Sequence, residues 1–425
     1  MKSPWLSLGI FIVCYVLFVA WPRRRALTAM LGAAALVAVG AVGWHAALTE
    51  MVSWNVIGLF FGTLILAELF MQSRMPAVLA EWLVARCRTA LGAMLLVCAL
   101  SAVLSMFLEN VAVVLLVAPV ALSLTDKLKI SPVQLLIGIA VASNLQGTAT
   151  LIGDPPSMIL AGHMKLSFND FFSYQGRPGI FWAVQVGGVA AFVTLAWILR
   201  RHHEPATLIA VETPRAWTPT VLLILLVAGL SCSSFVDPGF RWLAGTYTLA
   251  LAAAGLLWYR FGPHWTSVRT LIKTLDWDTT FFLIGVFVVV GGLSESGWLD
   301  RLAGWISASC GSSKLAAFAL LVAVSVVVSG FVDNVPYLLA MIPVAQKVAE
   351  GLNTPVPLLM FGLLIGACLG GNITPIGASA NVVAMGLLRK QGHHVTFRTF
   401  MGVGIPFTIA AVLAAAAFIW TIWAK

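Results

Sequence analysis

Gly147-Thr148-Ala149-Thr150-Leu151-Ile152-Gly153 recurs 224 positions later, without a gap, as Gly371-Asn372-Ile373-Thr374-Pro375-Ile376-Gly377. At the same offset Leu108-Glu109-Asn110-Val111-Ala112 falls on Val332-Asp333-Asn334-Val335-Pro336, and Pro119-Val120-Ala121 falls on Pro343-Val344-Ala345. At an offset of 223, Trp54, Gly62, Ser73, Trp82 and Cys87 meet Trp277, Gly285, Ser296, Trp305 and Cys310. Single apolar coincidences are cheap in a biased composition, but an ordered series of polar motifs in one register is not. The chain therefore holds an internal repeat, the signal that decides a fold before any local one.

The motifs sit in apolar surroundings. Of 425 residues, 60% are hydrophobic and 10% charged, where a soluble chain needs roughly 25% charged residues to cover its surface. Stretches 6–21, 26–43, 181–199, 221–235, 247–259 and 402–420, slightly extended, reach the roughly 20 residues that cross a hydrocarbon layer. The longest polar connectors, 200–217 and 260–277, are loop-sized. Residues 1–425 thus read as one transmembrane domain, with repeats over about 50–200 and 273–425. The formal charge of +9 fits lysines and arginines that orient short loops better than a nucleic-acid partner. Residues 1–20 lack a small-residue cleavage site and run into Trp21-Pro22-Arg23-Arg24-Arg25, which reads as a retained first span. Cys14, Cys87, Cys98, Cys232, Cys310 and Cys368 show no CxxC spacing and read as reduced, buried small hydrophobes.

Charge counting orients the halves. Suppose the N-terminus is outside, and 90–125 and 315–349 are hairpins that return to their own side. The inside segments then hold 17 lysines and arginines, from Arg23 through Arg74, Lys127, Arg200 and Arg269 to Arg398. The outside segments hold 8, namely Lys2, Lys165, Arg177, Arg241, Arg301, Lys314, Lys347 and Lys425. This excess fits the positive-inside rule. One hairpin then opens inside and the other outside, so the repeats are inverted, with ten crossings and both termini outside. If the hairpins span instead, the segments between each hairpin and its following broken span change sides. The fold expected is an all-α polytopic membrane protein of two inverted repeats, with re-entrant helical hairpins and broken transmembrane helices.

In lipid every backbone N–H and C=O must be satisfied, so helices break only where they line a cavity. Each half breaks at a hairpin tip, 105–111 or 329–336, and within the following span, 144–156 or 370–381. Breaks at corresponding places in two halves point to a transporter's binding site. They free helix N-termini for oxygen-rich or anionic ligands. Asn110, Asn144, Thr148, Thr150, Asn334, Asn372, Thr374, Ser379 and Asn381 supply neutral donors and acceptors there and are the candidate substrate-binding residues. Glu109 and Asp333 are carboxylates within the bilayer, each costing on the order of 3 kcal/mol on insertion scales. They read as proton-coupling groups, or else as caps of the hairpin helices. Asp154, before Pro155-Pro156, either joins them or caps the second half of its broken helix; its repeat mate is Ala378. Glu68 lacks an acidic mate and reads as near-interface, and His393-His394 as solvated. His203-Glu204 lacks the second histidine of a zinc protease motif, and no phosphate-binding loop is present. The residues call for no metal, cofactor or enzymatic activity.

The run from Thr148 to Pro156, the run from Gly366 to Asn372 and the run from Ile376 to Val383 resemble the ion transporter superfamily. The closest likeness is to its arsenite/antimonite permease (ArsB) and melanosomal P-protein branch. The resemblance covers roughly residue 54 to the C-terminus. It implies an elevator-type fold with a scaffold, a moving transport domain and usually a homodimer. The dicarboxylate branch carries Ser-Asn-Thr at its tips, whereas here they read Glu109-Asn110-Val111 and Asp333-Asn334-Val335. Two carboxylates there argue for a neutral or cationic solute exchanged against protons. The branch implies arsenite/antimonite efflux by proton antiport in a bacterial inner membrane, with a soluble ATPase subunit as an allowed partner. A sodium/proton antiporter or organic-ion carrier of the same fold is the alternative. A channel or an intramembrane enzyme is disfavoured by the inverted broken helices and the missing catalytic pairs.

Overall fold

The computed structural model describes residues 4–21, 24–202, 213–262, 267–311 and 313–425. Lys2, Pro22, Arg23 and the His203-Glu204 pair lie outside the described residues. The first half comprises α1 (Pro4–Ala20), α2 (Arg25–Ala38), α3 (Trp44–Ala46) with a π-helical turn (Ala47–Met51), α4 (Trp54–Gln72), α5 (Met75–Val84), α6 (Ala90–Ser105), α7 (Asn110–Leu128), α8 (Val133–Gly147) and α9 (Pro155–Met164). The antiparallel strands β1 (Ser173–Tyr174) and β2 (Arg177–Pro178) then lead into α10 (Ile180–Leu199). The second half comprises α11 (Thr218–Val236), α12 (Leu243–Phe261), α13 (Val268–Thr274), α14 (Trp277–Glu295), α15 (Trp298–Cys310), α16 (Lys314–Ser329), α17 (Asn334–Gly351), α18 (Val356–Gly370), α19 (Ser379–Lys390) and α20 (Phe397–Trp423). Among the described residues, seven helices are long and apolar enough to cross a membrane.

Local chemistry sets the boundaries. Thr89 and Ser313 accept hydrogen bonds from the first turns of α6 and α16, and Thr396 does so for α20; such side chains satisfy amides that an N-terminus leaves free. Proline opens α9 and α11, where a missing N–H costs nothing. Pro119 and Pro343 lie inside the returning arms of the two hairpins, α6–α7 and α16–α17.

Two groups of helices result. In the scaffold, α4 lies along α12 and α14 along α2, with α11 and α1 packed outside them. Both pairings use a glycine. A Cβ on Gly62 would stand 2.7 Å from Thr248, and one on its repeat mate Gly285 would stand 2.5 Å from the Ala29 backbone. Such small residues let helix backbones approach closely. The helices before residues 50 and 273, outside the repeat boundaries expected from the sequence, thus obey the same two-fold relation. In the second group each hairpin packs on its broken helix, α6–α7 on α8 and α16–α17 on α18. In addition, α19 crosses to α7 and α8, and α10 lies against α20.

Candidate functional site

Each tip is tied to its broken span by the same bonds. Thr150 Oγ1 donates to the carbonyl of Met106, and its mate Thr374 donates to that of Gly330. Gly153 and Gly377 make this possible: a Cβ on either would stand 2.4 or 2.6 Å from the carbonyl of Gly147 or Gly371. Thr150 and Thr374 therefore pin the tips.

The asparagines bind across the halves. Asn372 Nδ2 donates to the carbonyl of Val141 at 3.2 Å, and Asn381 Nδ2 to the carbonyls of Gly371 and Thr374 at 2.9 Å. Their Oδ1 atoms must then face outward, and both accept from Asn144 Nδ2, at 2.8 and 3.0 Å. Asn144 Oδ1 is left buried without a partner. An unpaired buried acceptor is costly, so it is the group most ready for a donor from a bound solute. Thr148 Oγ1 donates to the carbonyl of Asn144. Cys368, the repeat mate of Asn144, is buried and has Thr148 beside it. Ser379 is exposed at the first turn of α19.

Asp154 occupies the centre. It opens α9 but makes no cap bond. Instead its carboxyl, 7% exposed, has the side-chain amides of Asn110 and Asn334, one from each tip, as hydrogen-bonding neighbours, with Glu109 and Asp333 in electrostatic reach. Asn110 Oδ1 accepts from Ser105 at 2.6 Å, which turns its amino group free for that role. Glu109 lies toward the N–H groups of Val111 and Ala112 without closing a cap hydrogen bond. Asp333 accepts from Val335 N at 3.2 Å and from Arg25 Nη1 at 2.6 Å.

The two halves are not equally placed. Phe61 of α4 lies against Trp277 of α14, ring centroids 4.9 Å apart, and a Cβ on Gly291 would stand 2.6 Å from Met51 Sδ. These antiparallel pairings put the scaffold's two-fold point near Gly58 and its mate Phe281. Both tips lie beyond it on the Arg25 side: Glu109 and Asp154 border Phe60, Thr63, Leu64 and Ala67, and Asp333 meets Arg25 beside Asp278 and Thr279. The displacement is about one helical turn, on the order of 5 Å. In consequence α9 is covered and α19 is not. Ile152 is 2% exposed and its mate Ile376 56%; Met158 is 2% exposed and its mate Val382 52%. On the far side a cleft of about 560 Å³, lined by Glu50, His163, Lys165 and Glu295 among others, includes no residue of either tip. Of the two second halves of the broken helices, α19 is the one left uncovered.

A family model described as a citrate transporter, CitMHS, matches residues 15–260 and 240–425. The chain belongs to the citrate transporter family. An uncharacterised transporter of Mycobacterium tuberculosis is 32% identical over 98% of this chain and 97% of its own. The P protein of Homo sapiens is 27% identical over 96% of this chain and 58% of its own. Among solved structures, the YdaH transporter of Alcanivorax borkumensis superposes with a TM-score of 0.61 at 16% identity, covering 99% and 98% of the two chains. MtrF of Neisseria gonorrhoeae, one of a class of antimetabolite efflux pumps, gives 0.58 at 12% identity, covering 92% and 84%. The fold is that of an all-α polytopic ion transporter with inverted repeats, and the family members are membrane transporters rather than enzymes.

Arg25, which the sequence presents only as one of the orienting charges, reaches the site. Asp154, a cap or a coupling group by its sequence, caps nothing and faces both tips. Glu68 is half-buried, accepting from Gln72 at 2.9 Å. No cysteine is paired among the described residues, yet Cys232 is exposed on α11 rather than buried.

Proposed function

We propose that this protein is a secondary active exporter of arsenite and antimonite, driven by proton antiport in a bacterial inner membrane, with the Arg25 side cytoplasmic. One observation carries the reading: three carboxylates, Glu109, Asp154 and Asp333, surround the tips with Arg25 as the guanidinium among them. Arsenite at neutral pH is an uncharged trihydroxide, able to donate to an acceptor such as Asn144 Oδ1 and to be held by neutral Asn and Thr groups. A proton on a carboxylate then exchanges for the solute. A citrate trianion, suggested by the family's description, would meet like charge unless cations travelled with it. For the branch to which the motifs point, a homodimer is the assembly and a soluble ATPase subunit an allowed partner.

A sodium/proton antiporter or organic-ion carrier is the second reading, favoured by the same acidic cluster. Everted vesicles holding the chain distinguish them. A proton gradient should drive arsenite accumulation that a protonophore abolishes. Accumulation of citrate, or sodium exchange with no arsenite movement, would replace the first reading by the second.

A further inference from the structure

Arg25 stands at the first turn of α2, outside every motif that marks the site. Its Nε donates to Asp278 Oδ2 at 3.1 Å, its Nη2 to Thr279 Oγ1 at 2.7 Å and its Nη1 to Asp333 Oδ2 at 2.6 Å. Its guanidinium lies 5.1 Å from the centre of the Phe282 ring. Asp278, Thr279 and Phe282 belong to α14 of the scaffold, whereas Asp333 caps α17 at a hairpin tip. Tyr15 of α1 adds a second grip, its hydroxyl donating to the carbonyl of Pro336. The remaining charged groups facing this cluster are Asp276, which caps α14, with Glu109 and Asp154 from the other half.

Among the described residues, the place on α12 equivalent to Arg25 is not an arginine, although Arg241 stands just before that helix. The start of α12, packed on α4 as α2 is on α14, carries Leu243 and Ala244. Asn55, the repeat mate of Asp278, spends its amide on the α12 start, donating to the carbonyl of Phe240 at 2.9 Å and accepting from Gly245 N at 2.7 Å.

We propose that Arg25 is the resident counter-ion of the Asp333 tip, a positioning residue that clasps the hairpin group to the Arg25 side while Asp333 is charged and unoccupied. A proton that neutralises Asp333, or a solute hydroxyl that donates to its carboxylate in place of Arg25, releases it. An empty, deprotonated carrier then stays where an exporter collects its cargo, and protons do not leak through an unloaded cycle. This rests on the carrier reading but not on the identity of the solute.

The test reads conformation rather than transport. Ile376→Cys and Ile152→Cys are introduced separately into a chain with Cys87 and Cys232 replaced by serine, and labelled in membranes with a small maleimide. With Arg25 intact, position 376 should label and position 152 should not. Arg25→Ala and Asp333→Asn should each lower the 376-to-152 labelling ratio by about fivefold or more. The double variant should go no further, because both remove one interaction. Arg25→Lys keeps the charge but not the fork and should fall between. An unchanged ratio in folded Arg25→Ala and Asp333→Asn, or shifts that add, would overturn the clasp. Failure of arsenite transport alone would overturn only the proposed solute.

Discussion

Gly162 and Gly386 are repeat mates with opposite surroundings: a Cβ on Gly162 would stand 2.8 Å from Val56 of α4, while nothing lies within 4 Å of one on Gly386. One sequence pattern thus sits in two environments at once. That is what an inverted pair must do when the hairpin group is displaced from the scaffold's two-fold point. An exchange of these environments is the movement expected of the proposed carrier.

Val56→Cys with Gly162→Cys should cross-link under mild oxidation, since a Cβ on Gly162 would stand 2.8 Å from Val56 Cγ2 and the two Cβ atoms therefore lie within disulfide reach. Transport should stop and return on reduction. Gly386→Cys in the same cross-linked protein should still react with maleimide. Loss of that reactivity would mean that α19 is not the open side.

Asp154→Asn should be the most damaging of the carboxylate changes. It keeps shape but replaces one acceptor oxygen by a donor and removes the charge that the amides of Asn110 and Asn334 face. Proton-driven transport should fall at least about 100-fold, the lower end of the usual range for a positioned proton-transfer group. Glu109→Gln and Asp333→Asn should also reduce it, with folding intact by size-exclusion profile. Wild-type rates and pH dependence in all three would return the carboxylates to a purely structural role.

Asn372→Ala removes one acceptor of Asn144 Nδ2 and the donor to Val141, at a cost of about 1–3 kcal/mol for groups left unpaired. Efflux should fall at least about tenfold. Asn144→Ala should do the same, whereas Cys368→Ala, which touches the solute only if arsenic is held by thiol, should retain efflux. The reverse pattern, measured as arsenite resistance in a sensitive host, would assign the site to sulfur chemistry.

Gly153→Ala and Gly377→Ala place a methyl group 2.4 and 2.6 Å from backbone oxygens of the preceding break. Each should lower stability by roughly 1–3 kcal/mol, the usual cost of overpacking. Thermal unfolding in detergent should show a lower midpoint for both. A midpoint unchanged at both positions would mean that the breaks are looser than these distances require.

Much of this was legible in the residues. The tip and break motifs align because the same bonds, Thr150 to Met106 and Thr374 to Gly330, must be made in each half. Two copies of one geometry impose two copies of one pattern. The carboxylates stood out because lipid makes an idle charge expensive. The breaks stood out because glycine and proline gather at corresponding places in the two halves.

What only the tertiary structure decided is how the halves meet. Arg25 lies in a run of three arginines that the positive-inside rule already explains, and its reach to Asp333, 308 residues away, exists only because α2 packs on α14. Asn144 finds Asn372 and Asn381 through the crossing of two broken helices, a relation that no offset encodes. A repeat specifies a two-fold framework and leaves open which side the hairpin group occupies, because the two end arrangements use the same motifs with their roles exchanged. Packing of unequal neighbours, an arginine at the start of α2 and a leucine at the start of α12, breaks that tie.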